Sequence, residues 1–186
     1  MLHLEHFLDK GSTRLCFYHP EDKNRCVKVA MRPTGVSQLQ RELNAAQICS
    51  AHLKRYIPNY DNKLVDTNLG PGLVCEIIRD DDGTPSLPIG YYIAKNMIPQ
   101  DIKAQMNAFY NILMEHSIPI YDFNDKNFLI QIKNGKPILR FTDLKSYNSY
   151  KPFTYLRLER CIPGLTRCII RRRLSRLMRS LSLHQQ

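Results

Sequence analysis

The chain of 186 residues is short of several features that would announce a function directly. No apolar run approaches the roughly 18 residues that a membrane span needs. Its six cysteines, at positions 16, 26, 49, 75, 161 and 168, form no C-x-x-C pair. Zinc-ribbon and dithiol redox chemistry therefore have no motif to rest on. The N-terminus, Met-Leu-His-Leu-Glu-His-Phe-Leu, mixes acid and histidine into its apolar residues, unlike a secretory signal. The cysteines accordingly read as reduced core thiols and the protein as cytoplasmic. Acidic residues are missing from 160–186, which hold seven Arg. The net charge of +10 belongs mostly to that tail, since residues 1–159 carry 20 basic and 17 acidic side chains.

What is present suffices for a packed core. Hydrophobic residues make up 43% of the chain, and the length suits one domain or a small two-lobed unit. The most informative stretch is 120–144. Two apolar runs, 128–132 and 138–141, flank Asn134-Gly135. That dipeptide favours a tight hairpin, because both central residues of such a turn adopt positive φ. A hairpin returns its ends to one place, so Asp122, Asn127 and Asp143 should converge there. Two carboxylates and an amide form a hard-oxygen cluster suited to Mg²⁺. The alternative reading is that Asp122 and Asn127 serve the turn alone.

Upstream, residues 4–18 and 25–31 read as strands separated by the turn His19-Pro20-Glu21-Asp22-Lys23-Asn24. Alternation in Cys26-Val27-Lys28-Val29-Ala30 puts Lys28 on one side with Cys26 and Ala30. An ammonium there either snorkels from a strand edge or waits for an anionic partner. A helix follows, with Ser37 and Gln40 as a capping box and Leu39, Leu43, Ala46 and Leu53 at helical spacing. Glu42 lies on or beside that stripe. Lys28 is its economical partner; Arg41 or solvent is the alternative.

Residues 56–78 read as short strands broken at Gly70-Pro71-Gly72. The run Leu73-Val74-Cys75-Glu76-Ile77-Ile78 fits a buried strand. Arg79-Asp80-Asp81-Asp82-Gly83-Thr84-Pro85 then reads as a solvated hinge, its three Asp lacking EF-hand spacing. Asp101 is expected to cap a helix whose apolar face is Ile102, Met106, Phe109, Tyr110, Leu113 and Met114, ending near His116-Ser117. Residues 165–183 form an amphipathic pattern, with Ile170, Leu174, Leu177, Met178 and Leu181 along one stripe among the arginines. Such a helix docks its stripe on the body, or it meets an anionic membrane surface, nucleic acid or an acidic protein.

The order of these parts resembles the protein-kinase-like fold: a strand with Lys28, a helix with Glu42, a hinge, a long helix and an Asp-x₄-Asn loop. Asp122-Phe123-Asn124-Asp125-Lys126-Asn127 has the catalytic-loop spacing, and Thr142-Asp143-Leu144 stands where Asp-Phe-Gly would be. A closer resemblance is to the bacterial YrbL family, associated with the PhoP regulatory network. It is carried by Cys16-Phe-Tyr-His-Pro-Glu-Asp-Lys-Asn-Arg-Cys-Val-Lys28, Arg41-Glu-Leu, Asp81-Asp-Gly-Thr-Pro-Ser86 and Lys126-Asn-Phe-Leu129, over about residues 8–175.

The resemblance implies an α+β, small two-lobed protein-kinase-like fold. A β-rich N-lobe with one helix would span 1–79, and a reduced, mostly helical C-lobe with the catalytic-loop hairpin 80–160. The basic helix would occupy 161–186. It further implies ATP and Mg²⁺ as cofactors, with Lys28 on the α- and β-phosphates and Glu42 fixing its ammonium. Asn127 and Asp143 would hold the metal and Asp122 would accept the acceptor's proton. The stretch from Glu76 to Ile78 would meet adenine through backbone groups. The partners implied are a nucleotide and either a phosphoacceptor or a regulatory protein.

The covering loop, Lys10-Gly11-Ser12-Thr13-Arg14, has a single glycine. Ile120-Tyr121 stands in place of His-Arg, no Ala-Pro-Glu occurs, and 43 residues follow Asp143. That length leaves no room for a large peptide-substrate platform. The resemblance thus implies a small-molecule kinase or a non-catalytic pseudokinase rather than a conventional protein kinase.

Overall fold

The computed structural model describes residues 1–144, 167–172, 175 and 179. Strands β1 (Phe7–Lys10), β2 (Arg14–Tyr18), β3 (Arg25–Ala30), β4 (Val65–Thr67) and β5 (Gly70–Glu76) form an antiparallel sheet in the order β1-β2-β3-β5-β4. The expected single strand over 4–18 is two, because the chain turns at residues 11–13. The Gly11 N–H closes that turn on the Arg14 carbonyl at 2.9 Å.

Alternation in β3 decides what each face of this sheet does. Val27 and Val29 point into a core with Leu4, Phe17 and Val74. Lys28 and Cys26 point the other way, and their register partners across β5 are Leu73 and Cys75. Helix α1 (Val36–Leu53) covers this second face with Leu39 and Leu43 packed on Leu73.

The capping box at Ser37 does not form. Pro33 starts a 3₁₀ turn over Pro33–Gly35, Gly35 becomes the N-cap, and the Ser37 hydroxyl donates to the Thr34 carbonyl at 3.2 Å. Gly70-Pro71-Gly72 likewise lies inside β5, and the chain reverses at Asn68-Leu69. Gly72 is needed for close approach, since a Cβ there would lie 2.6 Å from Val27 Cγ1 and 2.9 Å from Thr67 Cγ2.

A second sheet, β6-β7-β8 (Leu87–Pro88, Phe128–Lys133, Lys136–Phe141), belongs to the rest of the chain. It packs with α3 (Gln100–Glu115), while the short α2 (Ile89–Ala94), absent from the sequence reading, follows β6 directly. Phe109 of α3 meets Phe128 and Phe141 with ring centroids 5.7 and 5.5 Å apart. Gln105 binds α3 to the strand backbone, donating to the Pro137 carbonyl and accepting from the Leu139 N–H.

Pro99, not Asp101, is the N-cap of α3, which places Asp101 in the first turn. There its charge still complements the helix dipole. His116, at the C-cap, stacks on His52 with centroids 3.6 Å apart. Residues 167–172 are helical, with Ile170 fully buried in the α3 core while Arg167, Arg171 and Arg172 are exposed. The remaining stripe positions, Leu174, Leu177, Met178 and Leu181, lie outside the described residues. No described helix is long and apolar enough to cross a membrane.

Candidate functional site

The hairpin forms around Asn134 and Gly135, whose φ values are +51° and +68°, with Phe128 opposite Phe141 at its open end. The stretch expected to be a solvated hinge is bound to this hairpin. Asp81 accepts from the Asn134 and Gly135 N–H groups at 2.9 Å each, and Asp80 accepts from the Ile132 N–H at 2.9 Å. The two turn N–H groups hold the Asp81 carboxyl below the usual carboxylate range. Acidic residues here serve the turn's orphan donors.

At the open end the expected cluster assembles. The Thr142 N–H donates to the Asn127 carbonyl at 3.0 Å. Asn127 Nδ2 donates to the Asp122 backbone carbonyl at 3.0 Å and lies 3.5 Å from Asp143 Oδ2. Asn124 completes the loop from within, giving an amide N–H to Asp122 Oδ1 at 3.0 Å. Its Oδ1 receives the Lys126 and Asn127 N–H groups. The sequence reading missed Asn124, although Asn at a turn hydrogen-bonding ahead of itself is a general signal.

From the other sheet, Glu42 is carried by α1 to Lys28. Glu42 is 0% exposed, and Lys28 Nζ donates to Oε1 at 2.7 Å. The Tyr60 hydroxyl donates to the same oxygen at 3.0 Å, and Arg14 donates to Oε2. Burying a carboxylate alone is costly, and three donors offset that cost. Burial also pushes the Tyr60 hydroxyl well above its usual pKa, so it remains a donor.

Arg14 then spans the cleft. Its other terminal nitrogen donates to Asp143 Oδ1 at 3.2 Å. Lys28 Nζ also lies 3.5 Å from the Thr142 carbonyl. The chain of charges runs Lys28, Glu42, Arg14, Asp143 and joins the five-stranded sheet, α1 and the segment after β8. The sequence reading named Arg14 only as the end of the covering loop and gave it no role at the site.

The donor set fits Mg²⁺. The amide nitrogen of Asn127 is given to the Asp122 carbonyl and lies 3.5 Å from Asp143 Oδ2, which leaves Oδ1 as its ligating end. Two hard oxygens suit an ion that retains part of its water shell. Among the described residues no group of three or more His, Cys, Asp or Glu converges to form an all-protein cage.

At the adenine end, several expected backbone groups are engaged. The Glu76 N–H donates to Asn59 O at 2.8 Å, the Ile77 N–H to Asn24 O at 2.8 Å, and the Ile78 carbonyl accepts from Ser86. The Glu76 carboxylate receives the Asn59 backbone and side-chain N–H groups and lies 3.4 Å from Arg140. Ile78 is buried, and among the described residues its N–H has no acceptor.

Cys26 and Cys75 approach to 3.5 Å between sulfurs on the wall above. The hydrogen bond from Cys26 brings the Cys75 thiol down to about 6, helped by Lys28 and Arg14 and opposed by burial.

Comparison with known proteins bears on this geometry. The family profile described as PhoP regulatory network protein YrbL matches residues 1–182. An uncharacterised protein YrbL of Escherichia coli (strain K12) is 33% identical over 99 residues. The match covers 51% of this chain and 47% of that protein. One of Shigella flexneri matches to the same extent. The matched stretch thus spans about half the length of these relatives.

Among solved structures, a point mutant of the Mycobacterium tuberculosis PknI kinase domain is similar with a TM-score of 0.53 at 10% identity. The similarity covers 81% of this chain and 61% of that one. Another kinase domain is similar with a TM-score of 0.52 at 15% identity, covering 82% and 52%. At such identities the likeness concerns the fold, which is kinase-like.

Proposed function

This chain belongs to the YrbL family of PhoP regulatory network proteins, and we propose that it binds ATP with Mg²⁺ between its two sheets and passes the terminal phosphate to a hydroxyl acceptor. The observation that carries the reading is the meeting of two halves in one cleft. Lys28 is held on Glu42 at 2.7 Å, and Asn127 is drawn against Asp122 and Asp143.

Lys28 would bind the α- and β-phosphates, with Glu42 fixing where its ammonium stands. The Ile78 N–H is the donor available to an adenine nitrogen. Asn127 Oδ1 and the Asp143 carboxylate would hold the metal, which supplies charge neutralisation between the phosphates when bound. Asp122, fixed by Asn124, would accept the proton of the attacking hydroxyl. The new bond joins that oxygen to the γ-phosphorus, and the bond to the leaving ADP oxygen breaks. Positioning and charge do the catalytic work in such transfers.

A second reading has one observation in its favour. Arg14 on Asp143 occupies part of the metal's electrostatic niche, as it would in a regulatory module that binds nucleotide without turning it over.

Calorimetric titration of the full chain with ATP and Mg²⁺ tests both. Binding should weaken at least tenfold in Lys28→Met, and Asp143→Asn should remove any ATP turnover. An absence of binding by the unaltered protein overturns both readings. ATP turnover lost in Asp122→Asn supports transfer, and binding with no turnover at all supports the regulatory module.

A further inference from the structure

We infer that Arg14 is an internal counter-cation for Asp143, which moves onto the phosphates when nucleotide enters and leaves nucleotide affinity only weakly dependent on Mg²⁺. This inference rests on the nucleotide-binding reading given above and extends it to a residue that the reading does not use.

The argument begins with charge. Arg14 and Lys28 face Glu42 and Asp143, and Arg14, Lys28 and Asp143 are 8%, 8% and 5% exposed. Two cations and two carboxylates already compensate one another. A divalent ion brought to Asp143 with Arg14 still on Oδ1 would add two positive charges beside a guanidinium that water hardly screens. The ion and Arg14 therefore compete for one carboxylate, and each weakens the other's hold.

The position of Arg14 shows where the displaced side chain goes. It ends the turn 10–14, closed by the Gly11 N–H on the Arg14 carbonyl, and opens β2 opposite Ala30. The same turn is the loop that would cover the phosphates. A guanidinium offers a planar fork of donors matched to phosphate oxygens, and a triphosphate supplies the negative charge that Asp143 gives up. Glu42 does not lose its compensation meanwhile, since Lys28 and Tyr60 stay on Oε1.

Arg14 thus does at both stations part of what a metal ion does: first at the carboxylate, then at the phosphates. Two concavities elsewhere, lined by residues 5–7 with 18–24 and by residues of 46–62, do not include Arg14, Lys28 or Asp143.

The test is one ratio, ATP affinity with Mg²⁺ divided by ATP affinity in EDTA, measured by calorimetry on the full chain. For the unaltered protein the ratio should be within about threefold of one. In Arg14→Gln it should rise about tenfold, in the range usual for coupling between two ligands. Metal-free binding loses a phosphate ligand while metal-bound binding loses a competitor. Arg14→Lys keeps a cation but not the fork that spans Glu42 and Asp143, so its ratio should rise by less. Thermal denaturation verifies that each variant is folded.

A ratio changed by less than twofold in both variants reduces Arg14 to a structural ion pair and overturns the inference alone. Strict Mg²⁺ dependence of the unaltered protein overturns it as well. Failure of every form to bind ATP removes the underlying reading and this inference with it.

Discussion

Glu42 holds three donors, from β2, β3 and the segment before β4, and that count sets the order of mutational effects in the small lobe. Glu42→Gln leaves Lys28 and Arg14 buried without their shared carboxylate, and we expect a loss of about 3–5 kcal/mol. Lys28→Met should cost distinctly less, because Arg14 and Tyr60 remain on the carboxylate. Urea denaturation of the two variants checks the order; an equal loss would contradict it. The Lys28–Glu42 pair was legible because strand alternation and helical spacing each aimed a charge inward. The role of Arg14 was not, since it stands 28 positions from Glu42 and 129 from Asp143. Only the tertiary fold brings them together.

At the scale of elements, the β7–β8 hairpin was legible in full from Asn134-Gly135 and its flanking runs. Its attachment to Asp80 and Asp81 was not, because a run of Asp before Gly83 has the composition of a solvated linker. The attachment has a pH signature. Turn N–H groups hold the folded Asp81 carboxyl below its unfolded value near 3.9. Its contribution is therefore fully present above that unfolded value and fades as pH falls through the folded one. The stability gap between the unaltered protein and Asp81→Ala should hold from pH 5 to 8 and shrink below about pH 4. A constant gap down to pH 2 would refute the assignment.

Helix starts were misplaced for one reason. Pro33 and Pro99 set the backbone before Ser37 and Asp101 could act as caps. Gly70-Pro71-Gly72 was misread because glycine there answers crowding rather than turning. Gly72→Ala should accordingly cost about 1–3 kcal/mol through contact with Val27 and Thr67, measurable as a lower urea midpoint.

On the scale of the whole molecule, the kinase-like fold was legible from the order of parts, whereas the acceptor has no sequence signal. Ile170 settles how the described part of the basic segment sits, with its apolar side in the α3 core and Arg167, Arg171 and Arg172 outward. Ile170→Ala should cost about 2–5 kcal/mol in chemical denaturation. A neutral result would mean that the segment does not dock. With the segment docked, an anionic surface or nucleic acid would be met by exposed arginines on a helix already anchored to the body.

The central claim is that the cleft, and not this basic face, receives the nucleotide. Amide chemical shifts of the ¹⁵N-labelled full chain, followed during titration with ATP and Mg²⁺, test it most directly. The account predicts that Lys28, Ile78, Asn127 and Asp143 shift together and saturate at one concentration. Shifts confined to Arg167, Arg171 and Arg172, or none at all, would contradict it.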